Sequence, residues 1–439
     1  MPARSWTGDE TAVSDASGMG AGDPRPRVAI VHGFSSPAGL ALQRSIGDVC
    51  APVWVVDSND PATDSPSPPR MLRRFGPVID ITDLSTQEAA DAVRRHRPEA
   101  VMAFADKQLV TAARLARELS LVFDAPEVVA RMVDKPLQRA ALREGGVPVP
   151  AWWTLSAGAP PVEVDRIVSE ARFPVVLKPQ RGTTSTHTYL AESARTLRSI
   201  VADPENGFCS MDFIVEEFIP GTPREVGSDV ADFVSVESVV SRGVISHLAI
   251  CGKFTLAPPF RGTGGFLPVD LPAEEISSIL AVTTRALEAL GTTTGCTHTE
   301  IKLTPQGPRV VEVNGRIGGN IATFMEGSTG VSLPHLAVDI ALDRPITRTG
   351  LLPCDHITFR VHGQPPMWAT HFVDIEGLDA VAAFPGVEEV ALRQSLNTPV
   401  NWRNGAGYVI FAVTARADTH EEMLVLRSQI LSTIKMTFK

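Results

Sequence analysis

The sequence predicts a multidomain α/β protein, and three observations carry that reading. Short apolar segments alternate with helix-like stretches through the first part of the chain, from Arg27 to about residue 125. Further on, two strands run around a Pro-Gln-Gly-Pro turn that ends at Pro308. The composition is that of a globular protein, with 439 residues, 44% hydrophobic and 21% charged, and with 34 Gly and 35 Pro. A chain of this length divides into about two to four domains.

Charge and cysteine usage remove several classes of function. A formal net charge of −10 disfavours general affinity for nucleic acid or an anionic membrane, both of which reward a basic face. No apolar run reaches the roughly eighteen residues that a membrane span needs. The first residues are small and polar, with Asp9, Glu10, Asp15 and Asp23 where a signal peptide carries its apolar core, so residues 1–26 read as a disordered tail of a cytoplasmic chain. Five scattered cysteines (Cys50, Cys209, Cys251, Cys296 and Cys354) show neither zinc spacing nor a disulfide framework.

The elements follow in order. Arg27-Val-Ala-Ile-Val-His is a strand that enters a small-residue loop and then a helix from Leu40. Gly33 and Gly39 lack the dinucleotide fingerprint and read as a tight turn. Strands at Pro52–Asp57, Val78–Ile81 and Ala100–Phe104, with helices at Thr86–His96 and Gln108–Leu119, complete a parallel α/β domain over 27–130. Asp134-Lys-Pro opens a helix that Gly145 and Gly146 close. Next come a strand ending at Lys178, a polar loop to His187, a helix at Ala194–Val201 and a strand at Phe213–Phe218. A meander to Phe254 turns at Ser241-Arg-Gly243, and an amphipathic helix runs from Ala273 to Leu290 and stops at Gly291. Residues 131–350 therefore form a second domain with a lid over about 131–215. Residues 351–439, with two strand-like stretches and a helix from Thr419, form a separate C-terminal α+β cap.

The hairpin Thr297–Arg316 carries the chemistry. A turn centred on Gln306 sets Glu300 directly opposite Glu312, and strand alternation places Glu312 and Asn314 on one face with Val311 and Val313 on the other. Two like charges opposed at roughly 5 Å destabilise a sheet unless a cation lies between them. Carboxylate and amide oxygens suit Mg²⁺, which takes its remaining ligands from water and substrate phosphates. Arg316, two residues past Asn314, continues that face and brings a guanidinium to those phosphates.

Glu300, Glu312, Asn314 and Arg316, within His298-Thr-Glu and Glu312-Val-Asn-Gly-Arg-Ile-Gly-Gly319, resemble the metal-binding end of ATP-grasp enzymes. The nearest resemblance is to their carboxylate-amine ligase branch, which includes the L-amino acid ligases. The order of an Asp-Lys helix start, a strand ending in Lys-Pro, a loop, an acidic hinge strand and the hairpin agrees over 27–439. The resemblance implies an ATP-grasp fold with a parallel N-terminal domain, a two-lobed ATP-binding domain and the C-terminal cap. It implies ATP and two Mg²⁺, with Mn²⁺ able to substitute, and metal ligands Glu300, Glu312 and Asn314.

By the same resemblance Lys135 and Lys178 contact the ATP phosphates, and Thr183, Thr184 and Ser185 lie in the phosphate lid, here with a single glycine. Glu216, Phe218 and Ile219 form the adenine hinge, and Glu216 or Glu225 takes the ribose or amino group. Lys178 and Arg316 act in catalysis, while His298, Arg261, Arg316, Gly318 and Gly319 meet substrate. Arg261 stands where relatives carry a glutamate, so a substrate with a spare carboxylate is expected there. The implied substrates are a small-molecule carboxylate and an amine joined through an acyl phosphate, and the chain is allowed to be a homodimer. Sister ATP-grasp activities and a noncatalytic ATP-binding role are the alternatives.

Overall fold

The computed structural model describes residues 23–33, 36–57, 69–222 and 229–439. The expected tail therefore lies mostly outside the described residues, as does Glu225. Strands β1 (Arg27–His32), β2 (Ala51–Val56), β3 (Val78–Asp80) and β4 (Ala100–Ala103) form a parallel sheet in the order β3-β2-β1-β4. Helices pack on it, and its strands are apolar on both faces, as expected of a parallel sheet.

β5 (Trp152–Leu155), β6 (Val175–Pro179), β7 (Tyr189–Ala191) and β8 (Phe213–Glu217) make a second sheet, ordered β5-β8-β6-β7. On β6, Val175 and Leu177 enter the core beneath, so Lys178 is sent to the opposite face. The strands that follow are β9 (Val230–Ser241), β10 (Val244–Phe254), β11 (Gly264–Leu267), β12 (Gly295–Lys302) and β13 (Arg309–Asn314). Those of the last segment are β14 (Ile357–Gly363), β15 (His371–Glu376), β16 (Val387–Leu392), β17 (Thr398–Pro399), β18 (Phe411–Ala417) and β19 (Lys435–Phe438).

An eight-stranded sheet runs β13-β12-β9-β10-β11-β14-β18-β16. It does not break at residue 351, because β11 pairs with β14 and draws the expected cap into one continuous sheet. The cap also holds more strands than its sequence suggests, since β15, β17 and β19 add a small separate sheet. The helix Ala273–Leu290 buries Ile279, Val282, Ala286 and Leu287 against β9 and β13, as its periodicity requires. Among the described residues no helix is long and apolar enough to cross a membrane.

Candidate active site

A cavity of about 480 Å³ opens between the second sheet and the eight-stranded sheet. The helix Lys135–Glu144 fixes one wall. Asp134 caps it, accepting from the Leu137 amide at 3.2 Å, and proline occupies its first turn. Gln138, buried in that helix, donates to the Val313 carbonyl at 2.8 Å and accepts from the Val313 amide at 2.9 Å, clamping the helix onto β13. The next residue, Arg139, donates to the Val311 carbonyl at 2.6 Å. Lys135 at the helix start is thereby brought to Glu312, with Nζ 3.1 Å from the carboxylate, and it also donates to the Gly182 carbonyl at 2.9 Å.

The opposed carboxylates stand as the turn requires: Glu300 pairs with Glu312, and His298 with Asn314. Alternation fails at one position. The register shifts past Glu300, leaving Val311 unpaired, so Val311 lines the cavity beside Glu312 instead of joining Val310 and Val313 in the core.

His298 lies between two carboxylates, with Nδ1 2.9 Å from Glu237 and Nε2 3.7 Å from Glu300. Burial opposes a charged imidazole, but Glu237 outweighs it and raises the His298 pKa. Burial would likewise raise the Glu300 carboxyl. His298, Lys253 and Lys178 outweigh it and hold the group down at about 2, so it is anionic at neutral pH.

Arg316 donates to Asp106 at 2.8 Å and to the Asn314 amide oxygen at 3.4 Å, which ties the end of β13 to the N-terminal domain. Gly318 sits against the His298 ring, where a Cβ would come within 2.5 Å of Nδ1, while Gly319 lines the cavity with open space around it.

Glu216 departs from its expected role. Its carboxylate is buried and accepts from Arg139 at 2.6 and 3.2 Å, and Lys178 Nζ lies 2.8 Å away. Burial alone would raise its pKa, yet the two cations hold it at about 2. Both oxygens are thus engaged in orienting Lys178 and Arg139. The apolar slot beside it, with Phe218, Ile219, Val176 and Val311, suits a planar ring; Phe218 stacks on Phe260 at 6.3 Å.

The polar loop closes the cavity through Thr183, Thr184 and Ser185. Thr184, Ser185 and His187 adopt left-handed φ of 56°, 56° and 48° without glycine. The segment Trp402–Gly407 holds them there. Ala406 donates to the Thr184 carbonyl at 2.6 Å, His187 to the Arg403 carbonyl at 2.8 Å, and Thr186 to the Asn404 carbonyl at 3.2 Å.

Arg261 corrects the sequence reading. It is 2% exposed, absent from the cavity lining, and donates to the Pro258 carbonyl at 2.8 Å and the Pro365 carbonyl at 2.6 Å, so it holds its loop to the C-terminal segment. Among the described residues, the arginines that do line the cavity beyond Arg139 and Arg316 are Arg360 and Arg393, which sequence reasoning missed. Arg360 alternates with inward-packed Phe359 and Val361 on β14, a buried-strand pattern interrupted by a cation that could have marked it.

The donor set at the hairpin is two carboxylates and an amide. Among the described residues no group of three His, Cys, Asp or Glu side chains is arranged as a metal site. The set fits a hard ion that completes its shell with phosphate and water better than one needing a full protein cage. In this structure Lys135 supplies the compensating positive charge beside Glu312.

The domain and the fold have counterparts among known proteins. Residues 171–324 match the family model described as an ATP-grasp domain. Those residues are an ATP-grasp domain. The chain superposes on the crystal structure of an L-amino acid ligase from Bacillus licheniformis with a TM-score of 0.71, at 18% identity, over 94% of this chain and 99% of that one. It is 28% identical over 337 residues to "Uncharacterized protein y4rH" of Sinorhizobium fredii, covering 73% of this chain and 65% of that protein. It is 30% identical over 203 residues to carnosine synthase 1 of Gallus gallus, covering 46% of this chain and 20% of that enzyme. The chain thus spans from a fifth to just under two thirds of the length of these two relatives.

Proposed function

We propose that the protein is an ATP-dependent carboxylate-amine ligase that forms an amide between amino acid-like substrates and releases ADP and phosphate. The observation that carries this reading is the convergence of Lys135, Lys178, Glu300, Glu312, Asn314 and Arg316 on one cavity with an apolar, ring-sized slot at its end. The likeness to the ATP-grasp domain and to an L-amino acid ligase matched over nearly the whole of both chains supports it.

In this reading the adenine lies beside Phe218 and Ile219. Lys135 and Lys178 hold the phosphates as compact point charges, with amides and hydroxyls of Thr183, Thr184 and Ser185 above them. Mg²⁺ held by Glu300, Glu312 and Asn314 would offset charge on the transferring phosphoryl group. A substrate carboxylate oxygen attacks the γ-phosphorus and the bond to ADP breaks. The amine then attacks the acyl carbon and phosphate leaves with the carboxylate oxygen. Arg316, oriented by Asp106, faces the charge developing on that oxygen, and the lid excludes water from the acyl phosphate.

The test is ADP formation by the full chain with ATP and Mg²⁺ across pairs of carboxylates and amines, bicarbonate included. The expected result is turnover that needs both partners and carries heavy oxygen from a labelled carboxylate into the released phosphate. Turnover with bicarbonate in place of the carboxylate would assign a carboxylase-type reaction instead. ATP binding with no turnover for any pair would leave a binding protein.

A further inference from the structure

We infer that Arg360 and Arg393 form a subsite for a second carboxylate, one carried by a substrate and not the group that is phosphorylated. This inference rests on the ligase reading above and deepens it by naming the substrate class.

Arg360 projects from β14 into the cavity and is 8% exposed. Its Nη1 is 3.5 Å from the Asn320 amide oxygen, and its Nε is buried without a hydrogen-bond partner. Its Nη2 lies 3.8 Å from Glu389, whose side chain is 55% exposed and whose attraction is accordingly screened. The free edge of the guanidinium is therefore Nε with Nη2, the side-on pair of donors that a carboxylate accepts through two parallel bonds. A buried cation with one distant, wet partner is costly to leave uncompensated, which favours an anion there.

The surroundings keep room for one. Gly265 is the residue paired with Arg360 on β11, and beside it Gly264 pairs with Val361. A Cβ at Gly265 would meet the Gly252 carbonyl at 2.6 Å, so no side chain can stand next to the guanidinium from that strand. Arg393, exposed at the end of β16, lines the same end of the cavity and adds a second positive charge. His362 follows on the same face of β14, and the Asn320 amide nitrogen lies 3.4 Å from its Nε2, so Asn320 braces both side chains. Strands β9, β10 and β11 separate this subsite from Glu300 on β12. A group held at Arg360 is thus a distant handle of the substrate, and the reacting carboxylate lies over the hairpin.

The experiment compares L-amino acids with their α-amides as amine substrates of the full chain, in an ADP-release assay with ATP and Mg²⁺. Wild type is expected to prefer the free acids by about 30-fold or more in kcat/KM, and Arg360→Gln to reduce that preference to within about threefold through KM, with the KM for ATP unchanged. Arg393→Gln, at an exposed position, is expected to lose about tenfold of the preference and serves if Arg360→Gln fails to fold. Equal use of acids and amides by wild type, or an unchanged preference in both variants, would overturn the inference while leaving the ligase reading intact. If no pair is turned over, the ligase reading fails and the subsite is read by thermal unfolding with ADP, Mg²⁺ and L-alanine against L-alaninamide. Stabilisation of wild type by the free acid alone, lost in Arg360→Gln or Arg393→Gln, supports the subsite; equal effects, or a larger effect of O-phosphoserine, overturn it.

Discussion

Lys178 reaches diagonally from β6 to Glu216 on β8, with Nζ 2.8 Å from the carboxylate, and Arg139 closes the same carboxylate from the other side. Arg139 and Glu216 are buried and Lys178 is nearly so, and the single anion determines where both cations point.

Removing that anion leaves a buried guanidinium and a largely covered ammonium without their counter-ion. Glu216→Gln is expected to destabilise the protein by about 3–5 kcal/mol and to weaken ATP binding, because Lys178 loses its orientation. Urea unfolding and ADP titration check this. Wild-type stability and affinity in the variant would mean that the carboxylate does not position Lys178.

Glu312 tests the hairpin. Glu312→Gln keeps the shape of the side chain but removes a charge that faces Lys135 at 3.1 Å and Glu300 across the ladder. The expected outcome is turnover reduced at least a hundredfold with the thermal midpoint nearly unchanged, and a higher Mg²⁺ requirement for whatever activity remains. Normal turnover at saturating Mg²⁺ would remove the metal assignment.

Gly405 tests the clasp on the lid. Its φ is 74°, and a Cβ there would lie 2.2 Å from the Thr184 carbonyl oxygen and 2.6 Å from the Thr186 nitrogen. Gly405→Ala should part the segment from the lid and release the strained turn at Thr184 and Ser185. Faster proteolytic cleavage within 181–187 and more ADP formed per amide are expected, since water then reaches the acyl phosphate. A cleavage rate equal to wild type would show that the lid does not depend on this contact.

Arg261 now carries a prediction about stability. Arg261→Met should cost roughly 2–3 kcal/mol by leaving the Pro258 and Pro365 carbonyls without their donor, with the KM of every substrate within about twofold of wild type. A large rise in one substrate's KM with unchanged stability would return the residue to the site.

The pH dependence of stability has a component at His32. Its ring is buried edge-on to Trp54 with neither nitrogen bonded, and burial lowers its pKa from 6.5 to about 4. Between those values the unfolded chain binds a proton that the folded chain does not, so this residue's contribution falls as pH drops from about 6.5 towards 4. Denaturant unfolding of His32→Leu should show a smaller loss between pH 7 and pH 5 than wild type. An equal loss would place the acid sensitivity elsewhere.

The sequence by itself determined whatever depends on local spacing. Glu300 opposite Glu312 follows from a turn at Gln306, and the Lys135 helix from an Asp cap, an early Pro and a terminal Gly. The Ala273–Leu290 helix follows from its apolar period and the glycine after it. Those signals lie within a few residues of what they specify, and solvent contrast between two faces enforces them.

Tertiary structure decided which charges meet. Glu216 looked free in its strand and is claimed by Arg139, 77 positions earlier; Arg261 looked available and is claimed by Pro365, 104 positions later. Val311 turns to the cavity because the β12–β13 ladder slips by one residue, and Arg360 joins the cavity because β14 pairs with β11. A buried charge takes the nearest partner that offsets its desolvation, and that partner is set by strand order and loop closure, which no local pattern records.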